Sequence, residues 1–240
     1  MATYVLVHGA WHTGELMANT AAPVSGAGHT VHTPTLAGNR PGDSKRTTLE
    51  EAITSLVDYI QENRITDAVV AGHSYGGMVI TGAFDRLPAG TIRRLVYINA
   101  FVPNDGESLA SMAPPPVAQL FNDVAGDDGG VMLPWPIWRE LFINDADEAE
   151  ARRAYAQLNP QPLATFNDPI RLSRNPAAME VGKSYLNCTE DTAMPASLPW
   201  HPRLSEKLGL FRLVQMAGSH EVCFTNPALL GAKILEAGRD

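Results

Sequence analysis

Cysteine is nearly absent from this chain of 240 residues: Cys188 and Cys223 are the only two. They are too few for a disulfide framework and lack metal-ligand spacing, so two buried free thiols are expected. Long hydrophobic runs are missing as well. No stretch approaches the roughly 20 apolar residues of a membrane span, and the N-terminus enters a strand pattern without a basic region, apolar core and cleavage site. A soluble, cytoplasmic protein with no membrane partner is expected. Positive charge is scarce, with 18 Lys and Arg against 26 Asp and Glu and a formal charge of −8. No basic cluster exceeds a pair, which excludes nucleic acid as a partner and favours a neutral substrate over a highly anionic one. Charged residues make up only 18% and hydrophobic ones 45%, a balance that fills a core and leaves little room for disorder. Neither an internal repeat nor a low-complexity tail is present.

What is present is an alternation of short apolar runs and helical periods. Tyr4 to Val7 reads as a buried parallel strand ending at His8 and Gly9. A helix-like stretch follows to about Ala27, then a strand from Thr30 to Thr33 and a Gly/Pro/Asn loop from Ala37 to Gly42. Thr48 and Glu51 have capping-box spacing, and Leu49, Ile53, Leu56, Val57 and Ile60 share one face of the helix they open. Two more strands are expected, one in the apolar run from Asp67 to Ala71 and one from Arg93 to Asn99. This βαβαβ rhythm predicts a mostly parallel sheet with helices on both faces. It breaks after Val102. Residues 103–182 hold three consecutive prolines from Pro114, a glycine cluster from Gly126 to Gly130 and a helical period from Asp145 to Leu158, with no strong strand. They are expected to form a helical cap inserted into a core of residues 1–102 and 183–240. A strand from Lys183 to Cys188, a helix from Ala196 to Lys207, a strand from Leu210 to Val214 and a helix from Asn226 to Ala237 complete the pattern.

The segment Gly72, His73, Ser74, Tyr75, Gly76 lies between a strand and a helix. That setting makes it a nucleophile elbow: the chain turns sharply, Ser74 stands exposed above the sheet, and glycines on either side remove Cβ atoms that would clash. The Tyr75 amide, opening a helix, is placed to stabilise an oxyanion. A serine hydroxyl needs a base, and the base needs an orienting acid. In the order Ser, acid, His, only His201 and His220 of the seven histidines follow Ser74. His220 lies on a loop after the last strand and is the expected base, whereas His201 sits in a predicted helix as a surface or packing residue. The acid is expected on the loop after the preceding strand, where Glu190 and Asp191 are adjacent; spacing does not choose between them, and Asp105 and Asp168 are weaker options. A second oxyanion amide is expected from Ala10 or Trp11, in the loop after the first strand. The same loop fails as a nucleotide site, having neither Gly-x-Gly-x-x-Gly nor Gly-Lys-Ser/Thr. His8 and His12 read as hydrogen-bonding core or pocket histidines rather than metal ligands, because no carboxylate or cysteine stands near them in sequence.

Taken together, the segments His8 to Gly14, Gly72 to Gly77, Cys188 to Asp191 and Gly218 to His220 resemble the α/β-hydrolase branch of plant methylesterases, hydroxynitrile lyases and small bacterial carboxylesterases, over about Tyr4 to Ala237. The resemblance implies an α/β-hydrolase fold, Asp191 as the acid of a Ser74, His220, Asp191 triad, and Ala10 and Tyr75 as the oxyanion amides. It implies a carboxylic ester as substrate, small and largely neutral or aromatic, and no cofactor. Trp11, His12, Trp135, Trp138 and Phe142 are expected to line its pocket, with Leu141 and Phe166 as further cap candidates; a homodimer is compatible. Two alternatives belong to other classes. Hydroxynitrile lyases of this branch carry a threonine where this chain has Gly9 and a lysine where it has Glu221, and an anion there opposes departing cyanide. A non-catalytic ligand receptor on the same fold is the other, against which stand candidates for all three triad roles.

Overall fold

The computed structural model describes all residues 1–240. In chain order the core elements are β1 (Thr3–Val7), α1 (Ala18–Gly26), β2 (Thr30–His32), α2 (Leu49–Glu62), β3 (Ala68–His73), α3 (Gly76–Arg86) and β4 (Ile92–Ile98). Residues 103–182 then hold α4 (Leu109–Met112), α5 (Pro115–Asp123), β5 (Gly130–Val131), α6 (Trp135–Leu141), α7 (Glu148–Tyr155), β6 (Gln161–Pro162) and α8 (Ala164–Asn167). The chain closes with β7 (Gly182–Cys188), β8 (Arg212–Met216), α9 (Val222–Thr225) and α10 (Pro227–Ala237).

Six strands form one sheet in the order β2-β1-β3-β4-β7-β8, and every pairing in it is parallel. Parallel strands buried on both faces send alternate residues to opposite cores. Val5, Val7, Val70, Leu95 and Tyr97 join the core that contains α2 and α3. Tyr4, Leu6, Val69, Ala71, Val96 and Ile98 join the other, against α1 and α10. The capping box forms as its spacing requires: Thr48 Oγ1 accepts the Glu51 amide at 3.2 Å, and Glu51 Oε2 accepts the Thr48 amide at 2.7 Å. Such a cap is worth about 1 kcal/mol.

Three expectations are corrected. The helix expected from Ala196 to Lys207 is reduced to a single 3-10 turn, Ser205–Leu208, because Pro199 and Pro202 remove amide donors and clash with the preceding turn. The last strand runs Arg212–Met216, two residues beyond its expected span, since Val214 and Met216 are the positions that alternate inward. The helix expected from Asp145 to Leu158 is shortened to α7, which starts after Asp147 caps the Glu150 amide; the only strands lying wholly within residues 103–182 are the two-residue β5 and β6, an antiparallel pair.

Candidate active site

The strand β3 delivers the chain to Ser74 with φ of +53°, a left-handed conformation that costs a non-glycine residue on the order of 1 kcal/mol or more. Three backbone bonds hold it there. The Ser74 amide donates to the Ile98 carbonyl at 3.1 Å, and its own carbonyl accepts from Gly77 at 3.0 Å and Phe101 at 3.2 Å. The turn is too tight for side chains on its flanks. A Cβ at Gly72 would meet the Gly76 carbonyl oxygen at 2.7 Å, and one at Gly76 would meet the His8 carbonyl oxygen at 2.8 Å.

Three residues far apart in sequence converge at this turn. Ser74 Oγ lies 2.8 Å from His220 Nε2, and His220 Nδ1 lies 2.6 Å from Asp191 Oδ2. The Asp191 carboxylate is completely buried and has two further donors, the Ala193 amide to Oδ1 at 2.8 Å and Asn99 Nδ2 to Oδ2. Glu190 is exposed and enters only through its backbone, its carbonyl accepting from Asn144 and its amide donating to the Gly218 carbonyl at 3.2 Å. Of the two adjacent carboxylates, only Asp191 reaches the imidazole. Asp105 and Asp168 are engaged elsewhere, accepting the amides of Leu172 and Leu49. His201 bonds Ser205 Oγ at 2.6 Å and takes no part.

Electrostatics favour a basic His220. Burial opposes its protonation, but the Asp191 charge and hydrogen bond and the Glu221 charge outweigh burial and raise its pKa above the ordinary 6.5. Trp200 stacks on the ring at 5.1 Å between centroids and 16° between planes, and Phe142 meets it edge-on at 5.2 Å. Both contacts restrict the ring, and the stacked indole favours an imidazolium.

The loop after β1 supplies two amides, and only one is unengaged. Trp11, held at φ of +65°, donates its N–H to Gln161 Oε1 at 3.1 Å. The amides of Ala10 and Tyr75 have no protein acceptor. His8 fixes the Ala10 amide indirectly. Its Nδ1 donates to the Gly9 carbonyl at 2.8 Å, and its Nε2 accepts from the Leu36 amide at 3.1 Å. A trans peptide points its N–H opposite to its C=O, so holding the Gly9 carbonyl aims the Ala10 N–H. The two bonds need a neutral ring, and burial keeps His8 neutral by lowering its pKa to about 4.

A cleft of about 380 Å³, counting its open mouth, lies over Ser74. Ser74 and His220 are its polar lining residues; the others are apolar or aromatic, including Trp11, Tyr75, Phe121, Phe142, Phe166 and Trp200. Of the expected pocket residues, Trp11 and Phe142 line it. Three expected pocket residues do not. Trp138 is fully buried and packs with Trp135 and Tyr155 in the interior of the 103–182 segment, while Arg152 covers the Trp135 ring at 4.5 Å. His12 lies beneath the site, bonded to Glu221 at 2.9 Å.

Sequence reasoning missed several supports. Asn99 joins the ends of β4 and β7, donating to the Cys188 carbonyl and to Asp191 and accepting the Cys188 amide at 2.7 Å. Its φ of +35° was the one available hint, an asparagine at a strand end. Asp145 accepts the Ser219 amide at 3.1 Å and the Thr225 hydroxyl at 2.9 Å, bracing the loop that carries His220. A carboxylate and a thiol do stand near His12 in space: its ring nitrogen, a Glu221 oxygen and Cys223 Sγ lie within 4.8 Å of one another. The nitrogen and oxygen are spent on each other, and burial raises the thiol pKa, so no ligand there is free for a metal.

Residues 4–231 match the model of the alpha/beta hydrolase family. The chain belongs to that family. The carbendazim-hydrolyzing esterase of Nocardioides sp. (strain SG-4G) is 36% identical over 250 residues, covering 99% of this chain and all of the relative. Salicylic acid-binding protein 2 of Nicotiana tabacum is 24% identical over 97% of this chain and 95% of its own length. An extracellular α/β-hydrolase from a Paenibacillus species, described as structurally and functionally homologous to the tobacco protein, superposes with a TM-score of 0.96 at 35% identity over the whole of both chains. The six-stranded parallel sheet and these relatives place the chain in the methylesterase-like branch, as a carboxylesterase-type enzyme. No helix is long and apolar enough to cross a membrane.

Proposed function

We propose that the chain hydrolyses carboxylic esters of small, largely neutral aromatic substrates through an acyl-enzyme on Ser74. The observation that carries this reading is the unbroken line of bonds from Ser74 Oγ through His220 to the buried Asp191 at the floor of an apolar cleft. His220 takes the Ser74 proton as the oxygen attacks the ester carbonyl, and the amides of Ala10 and Tyr75 receive the developing oxyanion. His220 then gives that proton to the leaving alcohol. A water enters and loses its proton to His220 as its oxygen attacks the acyl carbon, and His220 returns that proton to Ser74 Oγ as the acid leaves, while Asp191 holds the imidazole tautomer throughout. No step calls for a metal or organic cofactor. The aromatic lining supports a flat apolar substrate, and the carbendazim-hydrolyzing relative supports ester chemistry on this scaffold.

Glu221 argues against the lyase reading in a sharper form than its charge alone. The carboxylate is 1% exposed and turned to His12, so the position offers the cleft no cation for departing cyanide. At Gly9 a Cβ would sit 2.7 Å from His73 Nδ1, which leaves no room for a threonine. Hydrolysis of p-nitrophenyl and methyl esters of aromatic and alkyl acids by the purified protein tests the proposal. Ser74→Ala and His220→Ala are expected to lose at least about 1000-fold in kcat, and near-normal turnover in either variant refutes it.

A further inference from the structure

Beneath the cleft lies a buried ion pair that the proposed reaction does not use. Glu221 and His12 are each 1% exposed, and Glu221 Oε2 meets His12 Nε2 at 2.9 Å. The other ring nitrogen, Nδ1, meets the Ala10 carbonyl oxygen at 2.6 Å. Both nitrogens thus face acceptors, and only a doubly protonated imidazolium donates to two at once. Burial alone would strip that second proton, and the Glu221 charge restores it, lifting the His12 pKa well above 6.5 while its own falls to about 2.

We propose that Glu221, acting through His12, is a positioning residue for the oxyanion hole, fixing the peptide plane that follows the Ala10 amide. This rests on the esterase reading above. The Ala10–Trp11 peptide is gripped on both sides, its carbonyl by His12 and its N–H by Gln161. The preceding plane is held by His8 through the Gly9 carbonyl. With both planes fixed, the Ala10 N–H has one direction. The placement of Glu221 adds a coupling. It is the residue after His220, and its own amide donates to the Phe142 carbonyl at 3.0 Å, so the loop that carries the base also anchors the loop that carries the oxyanion donor. His73 fills the space between, donating to the His220 carbonyl at 2.9 Å, with its ring 4.7 Å from His220 and 6.0 Å from His12.

The decisive variant replaces both partners by apolar residues, His12→Phe with Glu221→Leu. Removing a buried ion pair whole spares the fold an unpaired charge and is often neutral for stability. Turnover of a p-nitrophenyl ester is expected to fall about 10- to 100-fold in kcat, with KM within about twofold, because misplacing a catalytic group by an ångström costs on this order. Affinity for an aryl trifluoromethyl ketone, which forms an oxyanion on Ser74, should fall in the same proportion, and affinity for the corresponding methyl ketone should not. Glu221→Gln restores activity to within about threefold of wild type, since an amide N–H to His12 Nε2 leaves Nδ1–H for Ala10. If the double variant does not fold, Glu221→Leu alone is expected to lose about tenfold, because His12 Nε2 is then buried without the partner that orients the ring against the Ala10 carbonyl. The proposal is overturned if the folded double variant, or that single variant in its place, keeps kcat within threefold of wild type. It is equally overturned if Glu221→Gln loses as much, or if trifluoromethyl ketone affinity is unmoved. Activity surviving Ser74→Ala overturns the esterase reading itself, whereas loss there with an active double variant overturns only the positioning role.

Discussion

Asp191→Asn isolates the orientation of His220 from the rest of the site. The carboxylate meets donors on both oxygens: His220 Nδ1 and Asn99 Nδ2 at Oδ2, and the Ala193 amide at Oδ1. An asparagine must present its NH2 at one of these positions. The Ala193 amide is fixed by the backbone and can only donate, whereas the Asn99 side chain can turn aside, so NH2 is driven to the imidazole, which adapts by accepting at Nδ1 and carrying its proton on Nε2. That nitrogen lies 2.8 Å from Ser74 Oγ and must be free to take the serine proton, so the variant folds with its base in the wrong tautomer. The expected loss is about 1000- to 10,000-fold in kcat, or roughly 4 to 5.5 kcal/mol of transition-state stabilisation. Initial rates on p-nitrophenyl butyrate at saturating substrate measure it, with Glu190→Gln as the control. Retention of more than a tenth of wild-type kcat by Asp191→Asn, or a larger loss in Glu190→Gln, refutes the assignment.

Activity should respond to acid through His220. Its raised pKa means the ring gains a proton as pH falls through a midpoint above 6.5, so kcat/KM is expected to drop on the acid side of neutrality; a flat profile from pH 8 to 6 speaks against it. Stability should weaken over an overlapping range for a different reason. His8 and His73 are buried neutral, with pKa values lowered by burial to about 4 and about 3. Below 6.5 the unfolded chain therefore binds protons that the folded one refuses, and the melting temperature is expected to fall progressively from pH 6.5 towards 4, contrary to a level melting curve over that interval. The aromatic residues of the 103–182 segment should separate into two groups. Trp138→Ala is expected to cost about 3 to 5 kcal/mol of stability and leave KM unchanged, while Phe121→Ala, which opens the cleft, raises KM for aryl esters more than for short alkyl ones. Denaturant melts and a substrate panel check both, and a KM change in Trp138→Ala contradicts the partition.

The sheet was legible because parallel strands announce themselves as apolar runs, and the elbow because strand, turn and helix follow one another in consecutive residues around Ser74. The base was legible from chain order. The acid was not: residues 190 and 191 are equivalent in spacing, and the resemblance to methylesterases selected the one that the fold buries beside His220. Contacts across long stretches of chain left no local trace. Gln161 is 150 residues from the Trp11 amide it accepts, and Glu221 is 209 from His12. Pocket and interior aromatics of the cap also read alike in sequence, since Trp138 and Phe166 are both simply apolar until packing gives each a side. Nor does anything in the sequence around Trp200 distinguish it as the residue that stacks on His220.

The dryness of the cleft carries an evolutionary consequence. Every polar contact described at this site serves to hold Ser74, His220, Asp191 and the amides in place, and beyond them the cleft's side chains carry only two buried polar atoms without a partner, the Tyr75 hydroxyl and Trp200 Nε1. Everywhere else the lining discriminates by shape, and a pocket that reads shape separates neighbouring homologues by only about 1 to 3 kcal/mol per methylene. New substrates are within reach of single changes among Phe121, Phe142 and Phe166, made without disturbing the machinery beneath them.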